Sequence, residues 1–205
     1  MLHKPTIETY NKIAKEYQAR NIVTIYLKEY EVFKSLLGDK TKVLEIGCGA
    51  GRDAEAFTSF GFDYTGIDAS EGMLREAKNR VKNANFLIGD FYKLNFSDES
   101  FDGFWAAASF LHVPKLEIGK VLSEARRVLK PKGIGFISLK QKTSIDEGVI
   151  EEEKMGGIAR YFSFYEESEF KTILENDGFK VVSVMKEKEN DNSRTTWLCF
   201  FIQKI

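Results

Sequence analysis

The sequence predicts an open α/β fold in which helices cover both faces of a mostly parallel sheet. Apolar, strand-like segments alternate with amphipathic, helix-like segments from residue 42 onward, and this alternation is typical of a parallel sheet. The last two strand-like segments are joined by the short turn 189–193, so they are predicted to pair antiparallel. Ligands of such sheets bind at the carboxyl ends of the strands.

The individual elements are predicted from periodicity and from turn residues. Two helices are expected within 6–37, because apolar side chains recur there at helical spacing, and Gly38 ends the second helix. Further helices are expected at 52–60, 71–81, 115–129 and 166–177. Strands are expected at 42–46, 63–68, 84–90, 101–108, 133–139, 179–187 and 195–204.

Composition and charge narrow the class of protein. The 205 residues are 43% hydrophobic and 30% charged, as in one folded globular domain, and the net charge of -1 offers no basic field for nucleic acid. Cys48 and Cys199 lie far apart and form no disulfide framework. The N-terminal stretch lacks the apolar core of a signal peptide, and no apolar run suits a membrane span. We therefore expect a cytoplasmic protein.

A glycine-rich stretch, VLEIGCGAGRD at 43–53, follows the first predicted strand and opens a helix. It is typical either of a tight turn or of a loop whose backbone N–H groups contact a cofactor. Asp68 ends the next strand, where a carboxylate can bind a ribose diol. The loop lacks the spacing of a dinucleotide or P-loop motif. Asp90 and Phe91 end the third strand and suit an adenine amine and ring, so the three elements together indicate an adenosine.

The chain resembles the class I S-adenosylmethionine-dependent methyltransferases of the small-molecule type with an N-terminal helical cap. The matching segments are VLEIGCGAGRD, YTGIDASEGML, FLIGDFYKLNF, FDGFWAAASFLHV and LKPKGIGFIS, together with YNKIAKEYQ near the N-terminus. The resemblance implies a Rossmann-like, seven-stranded sheet in the order 3-2-1-4-5-7-6 with strand 7 antiparallel. It implies a single domain with a cap at 1–38, a cofactor-binding core at 41–139, a lid-like loop at 140–165, and a helix and terminal hairpin at 166–205.

The resemblance also implies contacts with S-adenosylmethionine. The residues expected around it are Gly47, Cys48, Gly49 and Arg52 at the methionine portion, Asp68 at the ribose, Ala69, Met73, Asp90 and Phe91 at the adenine, Ala106 and Ala107 at the sulfonium, and Tyr17 from the cap. Met73 suits a plain core position equally well. Tyr17 is also explained by packing.

The acceptor of the methyl group is expected to be a small molecule, with Tyr10, Arg160 and Tyr161 as candidate contacts. His112 is a candidate general base, and the alternative is a structural histidine bonded to the local backbone near Pro114. Arg160 suits either a clamp for a carboxylate or an ordinary exposed arginine. No cluster has metal-ligand spacing, so a metal-dependent mechanism is not expected. A methyltransferase acting on RNA or protein, a non-catalytic cofactor-binding protein and a nicotinamide-dependent oxidoreductase are the alternatives.

The segment 140–165 is longer than the usual connection between a strand and a helix, for which roughly 4–6 residues is the median. Gly148 precedes its charged run, and Gly156 and Gly157 follow it, which favours a flexible segment. Several aromatic residues come next. We predict that this segment closes over the acceptor and the cofactor together.

Overall fold

The computed structural model describes residues 3–20, 26–152, 158–188 and 195–205. The helices are α1 (Lys4–Arg20), α2 (Leu27–Leu37), α3 (Arg52–Ser59), α4 (Glu71–Arg80), α5 (Ile118–Val128) and α6 (Glu167–Asn176). The strands are β1 (Lys42–Ile46), β2 (Asp63–Asp68), β3 (Asn85–Ile88), β4 (Phe101–Ala107), β5 (Leu129–Lys140), β6 (Glu147–Glu152), β7 (Ile158–Ser163), β8 (Phe179–Lys188) and β9 (Thr196–Lys204). Two short 3-10 turns, Phe110–His112 and Lys115–Glu117, lead from β4 into α5.

Seven strands form one sheet in the order β3-β2-β1-β4-β5-β9-β8. The pairs from β3 to β5 are parallel, whereas β9 runs antiparallel to both β5 and β8. The sixth and seventh strands of the predicted sheet are β8 and β9, so the predicted topology is confirmed. The turn predicted at 189–193 lies outside the described residues.

The segment predicted as a loop at 140–165 instead contains an antiparallel pair of strands. Glu147 of β6 lies opposite Ser163 of β7, and the pairing continues to Glu152 opposite Ile158. The charged residues 151–154 suggested a solvated loop, but a two-stranded sheet needs apolar side chains on only one face. Gly156 and Gly157, predicted as a flexible point, lie outside the described residues. Closure of this segment stays a prediction.

An aromatic core lies between α2 and the middle of the sheet. Trp105 of β4 stacks on Phe136 of β5 with 3.6 Å between ring centroids. Tyr30 and Phe33 of α2 pack against the same indole, each with a centroid distance of 5.2 Å. Burial of large aromatic side chains contributes much of the free energy of folding, so α2 is integral to the core.

Helix α1 lies between α4 and the β6–β7 hairpin and is hydrogen-bonded to both. The Asn11 side-chain oxygen accepts hydrogen bonds from Ser70 Oγ (2.8 Å) and from the backbone N–H of Gly72 (2.9 Å) at the start of α4. On the other side, Thr6 Oγ1 accepts a hydrogen bond from the N–H of Tyr161 at 3.1 Å. Helix α1 is thereby held across the carboxyl ends of the strands.

Two glycines at the second position of a helix provide a test of this docking. A Cβ atom at Gly72 in α4 would lie 2.7 Å from the carbonyl oxygen of Asn11, whereas a Cβ at the exposed Gly119 in α5 would meet open space. We expect Gly119→Ala to stabilise the protein by up to about 1 kcal/mol through helix propensity. Gly72→Ala should destabilise it by about 1–3 kcal/mol, because a backbone oxygen must move. Urea unfolding of both variants measures the difference, and equal effects would contradict the docking.

Candidate active site

A cavity lies at the carboxyl ends of β1, β2 and β4, below α1. Its lining comes from α1, from the loops after these strands and from the starts of α3 and α4. The lining residues are Thr6, Ile7, Tyr10, Tyr17, Gln18, Glu45, Gly47, Cys48, Gly49, Ala50, Arg52, Asp53, Ile67, Asp68, Ala69, Ser70, Met73, Arg80, Gly89, Phe91, Ala107, Ala108, Ser109 and His112. Most of the predicted site residues therefore meet at one cavity.

The glycine loop is held against the end of β2. The N–H groups of Gly47 and Cys48 both donate to the carbonyl oxygen of Ile67, at 2.8 and 2.9 Å. A Cβ at Gly47 would clash with the Cβ of Ser109, so this glycine permits contact between the loop and the end of β4. Gly49 has a φ of +53°, and a Cβ there would meet no protein atom within 4 Å. Gly47 is therefore required by packing, whereas Gly49 borders open space.

Asp68 joins the loops that follow β1 and β2. Its carboxylate accepts hydrogen bonds from the N–H of Gly49 (2.9 Å) and from the N–H of Ser70 (2.8 Å). Burial raises the pKa of Asp68, and these N–H groups partly offset that effect. Ser70 also caps α4, since its Oγ accepts a hydrogen bond from Met73 N at 3.1 Å. The carboxylate thus has a fixed orientation at the edge of the cavity.

A buried ion pair lies at the start of α3. The guanidinium of Arg52 donates to the carboxylate of Asp53, with one nitrogen–oxygen distance of 2.9 Å. Asp53 also accepts hydrogen bonds from the Tyr30 hydroxyl and from the Trp105 indole N–H, both at 2.8 Å. Burial opposes ionisation, but Arg52 and these donors lower the pKa of Asp53. Asp53 was not predicted as a site residue.

Glu45 of β1 is a second acidic group that the sequence prediction missed. Its side chain is buried, lines the cavity and accepts a hydrogen bond from the Tyr64 hydroxyl. Burial and the neighbouring Asp53 raise the pKa of Glu45 well above its ordinary value. An acidic residue inside an otherwise apolar strand was the available signal.

At the expected adenine end, Ala69, Met73 and Phe91 all line the cavity. Met73 is 1% exposed and packs in a small apolar cluster, so it is a core residue that also lines the cavity. The Asp90 carboxylate accepts a hydrogen bond from Tyr92 N at 2.9 Å, and Asp90 is not among the residues that line the cavity. Its contact with adenine stays a prediction.

At the end of β4 the cavity is lined by Ala107, Ala108 and Ser109. Ala106, which was expected to face the sulfonium, is fully buried in β4, because successive strand side chains point to opposite faces. Ala108 has a φ of +52°, and its N–H donates to Ser138 Oγ at 2.9 Å. The left-handed backbone at Ala108 is thus supported by a hydrogen bond from β5.

His112 belongs to a chain of four hydrogen-bonded groups. Its Nδ1 lies 2.6 Å from the carbonyl oxygen of Tyr161, and its Nε2 lies 2.9 Å from the Tyr10 hydroxyl. The Arg160 guanidinium donates to the same hydroxyl at 2.6 Å. Burial, with Arg160 and Lys140 nearby, lowers the pKa of His112 to about 3, although its bond to Tyr161 opposes this. The backbone partner of His112 is on β7 rather than in the local turn near Pro114.

Arg160 and Tyr161, which were predicted to contact the methyl acceptor, do not line the cavity. Arg160 is only 6% exposed, so the exposed position considered for it is wrong. The Tyr161 hydroxyl donates to Glu147 at 2.6 Å, and Tyr161 is not among the residues that line the cavity. The backbone carbonyl of Tyr161 is hydrogen-bonded to His112, and the Arg160 guanidinium is hydrogen-bonded to Tyr10. Both residues therefore influence the cavity only through a residue that lines it. Of the three candidates, Tyr10 alone lines the cavity.

The described residues contain neither a metal-ligand cluster nor a helix suited to span a membrane. Within these ranges, no group of three or more histidine, cysteine, aspartate or glutamate side chains is arranged to hold a metal ion. No helix in the described part of the chain has the length and apolar character needed to cross a bilayer. Both cysteines are free and buried.

Comparison with known proteins agrees with this geometry. Residues 43–133 match a family described as a methyltransferase domain. The chain is 41% identical over 100 residues to a sterol 24-C-methyltransferase of Gibberella zeae, covering 45% of this chain and 26% of that protein. It is 31% identical over 137 residues to the demethylmenaquinone methyltransferase of Thermotoga maritima, covering 63% of this chain and 59% of that protein.

A solved structure shows the same fold over nearly the whole chain. It is the 1,6-didemethyltoxoflavin-N1-methyltransferase of Burkholderia thailandensis with bound 1,6-didemethyltoxoflavin and S-adenosylhomocysteine. The TM-score is 0.74 at 18% identity, covering 97% of this chain and 87% of that one. Over residues 43–133 the chain belongs to this methyltransferase family, and its fold is that of the class I S-adenosylmethionine-dependent methyltransferases. It spans 26% and 59% of the lengths of the two curated relatives named above.

The low pKa of His112 predicts a specific dependence of stability on pH. Between pH 6.5 and about 3 the unfolded chain binds a proton at His112 that the folded protein does not, so stability falls as the pH is lowered. We expect the unfolding free energy of the wild type, relative to His112→Gln, to fall by about 1.4 kcal/mol per pH unit between pH 6 and 5.

Urea unfolding at several pH values measures this difference. The comparison between two proteins isolates His112, because Glu45 and Asp68 have raised pKa values and affect stability with the opposite sign. The His3→Gln variant removes the only other histidine and serves as the control. Parallel pH profiles for the wild type and His112→Gln would show that His112 is not held neutral by burial.

Proposed function

We propose that this protein transfers the methyl group of S-adenosylmethionine to a small molecule. The observation that carries the proposal is the open space beside Gly49, bordered by the Asp68 carboxylate and by the end of β4. In this proposal a nucleoside occupies that space, with its ribose hydroxyls at Asp68 and its base beside Ala69, Met73 and Phe91, which all line the cavity. The names of the relatives refer to a sterol, to demethylmenaquinone and to 1,6-didemethyltoxoflavin, and these names support a small acceptor.

The charged groups near the glycine loop suit the methionine portion of the cofactor. That portion carries an ammonium and a carboxylate, and the sulfonium adds a positive charge. In our proposal Glu45 binds the ammonium and Arg52 lies beside the carboxylate, while Cys48 contributes only its backbone, because burial raises the pKa of its thiol. Arg52 is already oriented by Asp53 and lies 4.9 Å from the centroid of the Tyr26 ring.

The cofactor supplies an activated methyl group, so the protein's task is to orient the acceptor in line with it. Such orientation is worth roughly 7–11 kcal/mol in well-ordered intramolecular reactions. Ala107 and Ala108 are small, so they leave room at the end of β4 where the sulfonium is expected. Tyr10 and Tyr17 lie across the cavity with their rings edge-on, 5.6 Å between centroids, and exclude water from that side.

His112 is proposed to position Tyr10 rather than to remove a proton from the acceptor. Both of its ring nitrogens are hydrogen-bonded, and a pKa of about 3 makes it a poor base at neutral pH. The absence of a metal from the reaction and the cytoplasmic location stay predictions.

Binding of the cofactor product tests this proposal. We expect S-adenosylhomocysteine to raise the midpoint of thermal unfolding in a concentration-dependent manner, because it binds the folded state alone. NADH should have no such effect, since the loop lacks dinucleotide spacing. Isothermal titration calorimetry gives the affinity directly. Stabilisation by NADH and not by S-adenosylhomocysteine or S-adenosylmethionine would identify a nicotinamide-dependent protein instead.

Gly49 and Gly61 form a matched pair for testing the contact with the cofactor. Both have a positive φ, and a Cβ at either position would meet no protein atom within 4 Å. Valine at either site must adopt a left-handed backbone conformation, which costs roughly 1–2 kcal/mol. Only Gly49→Val should also abolish S-adenosylhomocysteine binding, because its side chain enters the cavity. Calorimetry on both folded variants measures this, and normal binding by Gly49→Val would reduce Gly49 to a turn residue.

A further inference from the structure

Ser109 has a buried hydroxyl without a hydrogen-bond partner among the described residues. The residue is 5% exposed, it lines the cavity, and its Oγ has no hydrogen-bond partner within the part of the chain that the structure describes. Leaving a buried hydroxyl unpaired costs about 1–3 kcal/mol, so such groups usually have a partner. Ser109 lines the cavity, so a ligand bound there can pair with this hydroxyl once its rotamer turns toward the cavity.

The location of Ser109 is set by its neighbours. Gly47 contacts it so closely that no larger residue fits there, and His112 N donates to the Ser109 carbonyl oxygen at 3.1 Å. Ser109 therefore lies between the glycine loop and His112. This is the region between the proposed cofactor and the Tyr10–His112 pair.

The hydrogen-bond chain on the other side of this region has a fixed direction. Arginine can only donate and a backbone carbonyl can only accept, so Arg160 donates to Tyr10 and His112 Nδ1 donates to Tyr161. A neutral imidazole has a single N–H, so His112 Nε2 carries no hydrogen and accepts the hydroxyl hydrogen of Tyr10. The Tyr10 oxygen thus has a remaining lone pair and no free hydrogen to offer a ligand.

We propose that Ser109 and Tyr10 together select the methyl acceptor: Ser109 donates a hydrogen bond to it and Tyr10 accepts one from it. The acceptor is therefore a neutral molecule whose polar group has both a lone pair and an O–H or N–H, such as an amide, a hydroxyl or an enol. A carboxylate or a phosphate dianion has no hydrogen for Tyr10. This inference rests on the proposed function. Arg160 and His112 are positioning residues, because they act through Tyr10.

Benzamide and benzoate form a matched pair of probes, since they share a ring and a planar group of similar size. We expect benzamide to bind to the full-length protein saturated with S-adenosylhomocysteine, and benzoate to bind about tenfold or more weakly at neutral pH. Saturation-transfer NMR titrations measure both affinities. This comparison uses the wild-type protein alone, so its result does not depend on whether a variant folds. Equal or tighter binding of benzoate, or no binding of benzamide, would overturn the proposal.

Two variants separate the roles of the hydroxyl groups. Tyr10→Phe should remove the preference for benzamide, whereas Tyr92→Phe, whose hydroxyl bonds to Glu117 outside the cavity, should keep it. Ser109→Ala should weaken benzamide binding about tenfold and leave the affinity for S-adenosylhomocysteine unchanged.

The affinity for S-adenosylhomocysteine, measured on the same samples, distinguishes the two ways of failing. If the wild type does not bind it, the proposed function is wrong. If the wild type binds it but does not discriminate between the probes, only the acceptor class is wrong. If Ser109→Ala weakens its binding, or leaves benzamide binding unchanged, Ser109 does not serve the acceptor.

Discussion

The Asp68 carboxylate and the adjacent Ser70 form the junction on which the site depends. Asp68 accepts N–H groups from the loop after β1 and from the start of α4, and Ser70 Oγ then donates to Asn11 of α1. Two strand ends, a helix start and the N-terminal helix are therefore joined by three hydrogen bonds. Each bond joins groups that are partly or fully withdrawn from water, where leaving a polar group unpaired is costly. These hydrogen bonds fix the loop of Gly49 and helix α1 at the edges of the cavity.

Helix α1 serves both ends of the cavity. Asn11 fixes it to α4 at the expected cofactor end, and Tyr10, one residue earlier, reaches the chain of Arg160 and His112 at the expected acceptor end. The β6–β7 hairpin supplies Arg160 and the carbonyl of Tyr161, so the hairpin determines how Tyr10 is held. A displacement of α1 would therefore affect both ends together. Helix α1 and the hairpin are therefore hydrogen-bonded to each other, although the sequence indicated two separate segments over the site.

Burial influences the protonation states of the titratable groups around the cavity. Their hydrogen-bond partners determine which atoms donate and which accept. His112 is held neutral because burial disfavours its charged form and because Arg160 and Lys140 are nearby. Asp53, which is equally buried, remains ionised because Arg52, Tyr30 and Trp105 all donate to it. The acidic Glu45, Asp53 and Asp68 lie near the glycine loop together with Arg52, whereas Arg160 and Lys140 lie near His112. Such a distribution suits a cationic cofactor at one end and a neutral acceptor at the other.

The sequence by itself determined the alternation of strands and helices, the glycine loop and the position of Asp68, because these are local properties of the chain. The order of the strands followed only from the resemblance to the methyltransferases. The element boundaries predicted from the sequence differ from those of the structure by a few residues. The β6–β7 hairpin was not predicted, because charged residues on a strand with one solvated face hide the apolar pattern of that strand. Ala107 was expected at the cavity, but only the tertiary structure decided that Ala108 rather than Ala106 lines it beside Ala107, and that Ser109 and Glu45 do so as well. It also decided the chain of Arg160, Tyr10 and His112, whose members lie up to 150 residues apart. Side-chain direction and the partners of buried polar groups depend on distant segments that meet only when the chain folds.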